Sequence, residues 1–211
     1  MRSIPRFGGI AASIVLIALG IGAIVIGLNG RSEVGTDLKR EQIVGTPDMT
    51  PSAIAKEAKA AGVTNVDLPT CSVANKPVDT GSRAKCFASY MRIHALEATG
   101  GKTYSQMPRY QSADGAGTND EAKALKGPSG APVNNPAREI WVTETALSTA
   151  LNTSYFAQSV ALFSAIMGIA LLLTGIGFLM LTSGLLTGAA TLDPLRRLTH
   201  RHGTPTAPAA S

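Results

Sequence analysis

Residues 145–192, TALSTALNTSYFAQSVALFSAIMGIALLLTGIGFLMLTSGLLTGAATL, run for 48 positions without an Asp, Glu, Lys or Arg. About a quarter of the residues in an ordinary soluble domain are charged, so a gap of this length excludes a simple cytosolic globular chain. From Val160 to Leu181, fourteen of 22 positions are Leu, Ile, Val, Phe or Met, and they cover every face of a helix. Such a helix suits lipid better than a surface, where one apolar stripe is the rule. Tyr155 and Phe156 stand at its start, where interfacial aromatics belong. A membrane span over 157–187 is expected.

A second uncharged stretch lies at the other end. Residues 9–28, GIAASIVLIALGIGAIVIGL, hold eleven Ile, Val or Leu, and twenty helical residues cover about 30 Å, the thickness of a bilayer core. A secretory signal is the alternative, because Arg2 and Arg6 form a basic start. Signal h-regions are normally about 7–15 residues long and end at a small-x-small site. This run is longer and ends in Leu28-Asn29-Gly30-Arg31, so an uncleaved anchor helix is expected.

Two spans put both termini on one side. Arg2 and Arg6 precede the first, and Arg196, Arg197 and Arg201 follow the second, which makes that side cytoplasmic by the positive-inside rule. Arg31, Lys39 and Arg40 on the opposite flank weaken the bias. Cys71 and Cys86, the only cysteines, lie fifteen positions apart between the spans. An even pair favours an oxidising exterior and a disulfide over two unrelated thiols. Closing that loop is worth about 3 kcal/mol in the chain-entropy model. Zinc would need two further ligands at suitable spacing.

The expected organisation is mainly α: a cytoplasmic N-terminus (1–8), spans at 9–28 and 157–187, an extracytoplasmic helical domain (29–156) and a cytoplasmic, basic, disordered tail (188–211). Residues 31–153 carry 14 Lys and Arg against 13 Asp and Glu. The basic surplus is therefore juxtamembrane, and it points to anionic lipid headgroups rather than nucleic acid. Within the domain, Thr50-Pro51 opens a helix that Gly62 closes. A second runs from Ser82 to Gly100-Gly101, with Phe87, Tyr90, Met91, His94 and Leu96 giving it an apolar side. A third opens at Asn135-Pro136 and continues unbroken into the second span. Residues 105–135, rich in Gly, Ala, Pro and Asn, read as a mobile loop.

Catalytic patterns are weak. Gly100-Gly101-Lys102-Thr103 lacks the leading Gly of a phosphate loop, since position 96 is Leu96. His94 and Glu97 share a helix face, but His94 is the only histidine between the spans; His200 and His202 fall in the tail. No GxSxG elbow occurs. No catalytic residue, cofactor or metal is expected. The spans do carry small residues four apart: Ala18/Gly22 and Ala23/Gly27 in the first, and Ala161/Ala165, Ser164/Gly168 and Gly184/Gly188 in the second. Such rows let helix backbones approach closely in lipid. No ionisable residue interrupts either span, so the usual mark of an ion pathway is missing.

The segments MRSIPRFGGIA, FASYMRIHALEATGGKTYSQM and NPAREIWVTETALSTALNTSYFAQSVALF resemble a family of small actinobacterial membrane proteins with two membrane helices around an extracytoplasmic segment. The HALEATGGKTY block is the distinctive part, while the Cys71/Cys86 pair and the 105–135 insertion depart from the pattern. Members often carry the label aromatic ring-opening dioxygenase. The local spacing in this chain supplies no cluster of His and carboxylate ligands for that chemistry. The resemblance and the residues together imply a non-enzymatic inner-membrane protein, an accessory or interaction subunit whose partners are lipids and other membrane subunits or a second copy. An enzyme subunit, or an ectodomain that binds a small ligand or lipid, is the alternative.

Overall fold

A computed structural model describes residues 4–64 and 66–183. Residues 1–3, Gly184 and Gly188, the end of the expected second span and the 188–211 tail lie outside the described residues. Among the described residues the architecture is helical: α1 (Ile4–Arg40), α2 (Pro51–Ala60), α3 (Gly81–Ala98), a 3-10 turn at Tyr104–Gln106, and α4 (Pro136–Ser183). Among the described residues strand pairing is limited to isolated bridges.

The capping chemistry places the starts. The Thr50 hydroxyl accepts the Ala53 amide at 3.3 Å with Pro51 at the first helical position, and Asn135 Oδ1 accepts the Ala137 amide at 3.1 Å ahead of α4. These side chains satisfy amides that have no partner within the helix. Gly62 (φ 67°) ends α2, and Gly100 (φ 62°) and Gly101 (φ 74°) follow α3 in the left-handed region that favours glycine. α1 runs twelve residues beyond the expected span. Hydropathy falls at Arg31, but nothing there breaks a helix, and Leu38 is buried while Lys39 and Arg40 occupy the last turn.

The chain divides into two units, one of Met1–Val25 with Ala165–Ser211, the other Ile26–Ser164. In the Ile26–Ser164 unit, one core cluster joins Met49, Ile54, Val73, Tyr90, Ile93, Leu96 and Trp141. A second gathers Leu38, Val78, Ala84, Ala88 and Leu151, so the ends of α1 and α4 in this unit share a core with α3. The 105–135 stretch, expected to be a mobile loop, carries backbone bridges and hydrogen bonds of its own. Tyr110 bridges both Thr118 and Asn134, and Gln111, Leu125 and Val133 exchange amide–carbonyl bonds of 2.8–2.9 Å. Its sequence has no period because scattered bridges and side-chain turns at Ser112, Asp114 and Asn119 do the pairing.

In the other unit, α1 and α4 lie antiparallel. A Cβ on Gly20 would meet Leu172 N at 2.7 Å and Gly168 O at 2.8 Å, and one on Gly175 would meet Ile17. The buried small residues there are Ser13 and Gly20 on α1, and Gly168 and Gly175 on α4, seven apart on each helix. Gly27 and Ala161, buried in the Ile26–Ser164 unit, keep the same spacing. The four-residue rows follow the seam only in part. Ala18 is exposed, and a Cβ on Gly22 would meet nothing within 4 Å. Seven residues return within about 20° of the starting direction, whereas four overshoot by about 40°. Within the Met1–Val25, Ala165–Ser211 unit the close contacts therefore follow the seven-residue spacing.

That seam buries little else. Both helices are long and apolar enough to cross a membrane, with mean hydropathy of 2.7 and 2.3 in their most apolar windows, yet only 11% and 17% of those windows is buried. Leu19, Phe163 and Leu173 are 58–64% exposed.

Candidate functional site

The core that α3 builds places one histidine at its edge. Tyr90 and Ile93 are fully buried, and His94, one turn beyond Tyr90, is carried toward the neighbouring elements with a 31% exposed side chain. α2 sits against α3 through Ile54 and Ala58, which leaves Glu57 at the contact edge. Asp48 belongs to the turn before α2, where Met49 N donates to Thr46 O and Thr50 N donates to Asp48 O. Three elements thus converge: His94 Nε2 lies 3.3 Å from Asp48 Oδ2 and 3.5 Å from Glu57 Oε2. One donor atom from each residue falls within 4.8 Å of the others.

Asp48 is held ionised. A hydrogen bond from the Thr46 side chain, with smaller help from backbone and from His94, outweighs partial burial and lowers its pKa below the usual carboxylate value. His94 Nε2 is shielded from solvent but makes no hydrogen bond of acceptable geometry to either carboxylate. The contacts are close in distance and poor in direction.

The expectation of no His–carboxylate cluster is therefore corrected. The pair singled out by spacing, His94 and Glu97, does not form, and Glu97 is exposed. The partners are 46 and 37 positions away in sequence, and only the packing of α2 on α3 brings them in. Gly100 and Gly101 form a helix terminus, with Gly101 N donating to Leu96 O at 2.7 Å, and the Lys102 carbonyl accepts from Trp141 Nε1 at 2.6 Å. Cys71 and Cys86 are bonded, with Cα atoms 6.1 Å apart.

His94 also borders a groove of about 560 Å³ between α3 and α4, lined by Met91, Ala95, Ile140, Glu139 and Glu144 among others. Glu144 is 4% exposed and accepts a 2.8 Å bond from Ser148 Oγ.

The disulfide loop has its own anchor. Tyr90 is wholly buried and its hydroxyl donates to Cys71 O at 2.6 Å, and burial raises its pKa above 10.0. The folded state favours the neutral phenol, so this contribution is full below the unfolded tyrosine value and is lost as pH rises through the folded one. Tyr90→Phe is expected to cost about 1 kcal/mol at neutral pH. The gap between variant and wild type should narrow above about pH 10, as read by urea unfolding followed through Trp141.

No protein family, curated protein or solved structure matches this chain.

Proposed function

We propose that the chain is an integral protein of the cell membrane, with both termini cytoplasmic, and that it displays the segment between its spans outside the cytoplasm. In this reading it serves as a non-catalytic accessory or interaction subunit. The observation that carries the reading is the low burial of the two most apolar helical windows, 11% and 17%. In water, exposed aliphatic surface costs about 25 cal/mol per Å², and chains that leave this much uncovered normally present it to lipid or to other apolar helices. The Cys71–Cys86 bond supports an oxidising side for the domain between them. The aliphatic faces away from the seam are available to lipid and to other membrane subunits or a second copy.

Alkaline carbonate washing of membrane vesicles tests the anchoring: the chain should stay in the pellet, and release into the supernatant would overturn it. Ring cleavage of a catechol by purified protein with stoichiometric iron would overturn the non-catalytic reading. The mostly apolar groove beside His94 favours a second reading, a domain that holds a small apolar ligand. Mass spectrometry of protein purified in mild detergent would reveal a stoichiometric co-purifying lipid in that case and none otherwise.

A further inference from the structure

We infer that Asp48, Glu57 and His94 form a binding site for a divalent transition-metal ion of the zinc class. The donor set decides the chemistry: one imidazole and two carboxylates match Zn²⁺ and its neighbours, whereas Ca²⁺ takes six to eight oxygens. Two of the three ligand spacings match as well, and all three ligand atoms lie within 4.8 Å of one another. Bonds of about 2.1 Å at tetrahedral angles separate neighbouring ligand atoms by about 3.4 Å, and His94 Nε2 stands 3.3 and 3.5 Å from the two carboxylate oxygens.

The hydrogen bonding points the same way. A protonated imidazole paired with two carboxylates would aim its N–H at one of them, yet Nε2 is shielded and makes no directed bond. An ion between the three would use the Nε2 lone pair and one oxygen of each carboxylate. The three side chains are 31–37% exposed, which leaves a path for the ion and a face for water. The bound ion would join the segment before α2, α2 itself and α3, a second cross-link in a domain already closed by Cys71–Cys86.

The test uses the full chain in detergent, stripped with chelator and titrated with Zn²⁺ alone by calorimetry. One ion should bind per chain and raise the thermal midpoint read from Trp141 emission. His94→Gln, and separately Asp48→Asn with Glu57→Gln, should each weaken binding by about tenfold or more, while unligated variants keep wild-type Trp141 emission and the disulfide. His200→Ala with His202→Ala, which removes the tail imidazoles, should leave affinity unchanged. Absence of saturable binding, a smaller loss in either cluster variant, or loss in the tail variant overturns the site. A folding failure in one cluster variant leaves the other to decide. Should both fail, protection of His94 from diethylpyrocarbonate by Zn²⁺ in the wild-type chain decides: protection supports the site and its absence overturns it.

Discussion

Gly168→Leu should separate the two apolar helices, while Gly22→Leu leaves them together. A Cβ at Gly168 would lie 2.7 Å from Gly20 O and 2.8 Å from both Ile24 N and Ile24 Cγ1. Two of those three atoms are backbone, so no rotamer change relieves the clash and the helices must move apart. Overpacking of a tight contact costs about 3 kcal/mol when the neighbours cannot yield. At Gly22 an added Cβ would meet nothing within 4 Å, and the effect should stay within about 0.5 kcal/mol. Oxidative cross-linking between Gly9→Cys and Thr182→Cys reads the outcome, since a Cβ on Gly9 falls 3.4 Å from Thr182 Cβ, close to disulfide spacing. Cross-linking should be efficient in the parent and with Gly22→Leu, and should fall sharply with Gly168→Leu. Equal yields in all three would mean that the seam does not hold the pair.

Removing the disulfide should have an effect of similar size on the Ile26–Ser164 unit. Cys71–Cys86 closes a loop with a sequence separation of 15, for which the chain-entropy model gives about 3 kcal/mol. That loop is also bound at three other places. Val73 is buried in the first core cluster, Val78 N donates to Ile43 O at 2.8 Å, and Tyr90 holds the Cys71 carbonyl. The fold should therefore survive the loss with lower stability rather than disappear. Cys71→Ala with Cys86→Ala should lower the urea midpoint by an amount equivalent to about 3 kcal/mol, followed through Trp141. This tryptophan is the only one in the chain and is 4% exposed. An unchanged midpoint would show that the native contacts alone fix the loop.

Local signals in the sequence reach far into this fold. Thr50-Pro51, Asn135-Pro136, Gly62 and the Gly100-Gly101 pair mark helix ends because capping depends on residues a few positions apart. The apolar runs mark the long helices for the same reason. The bridges within 105–135 are not legible in the sequence, because they join backbone groups and carry no side-chain period. The heptad of small residues was open to inspection at Ser13, Gly20 and Gly27, and again at Ala161, Gly168 and Gly175. The four-residue pattern common in membrane helices masked it. The Asp48, Glu57, His94 cluster was beyond reach, since no spacing rule links three ligands drawn from a turn and two helices.

The membrane arrangement faces its most direct test in labelling of Lys123→Cys and Ser211→Cys by a membrane-impermeant maleimide. Lys123 lies on the exposed loop before α4, with 77% of its side chain open, and Ser211 is the last residue of the sequence. In intact spheroplasts Lys123→Cys should label fully, and Ser211→Cys should label only after lysis. Labelling of Ser211→Cys before lysis, or protection of Lys123→Cys until lysis, would contradict an extracytoplasmic domain held between two spans.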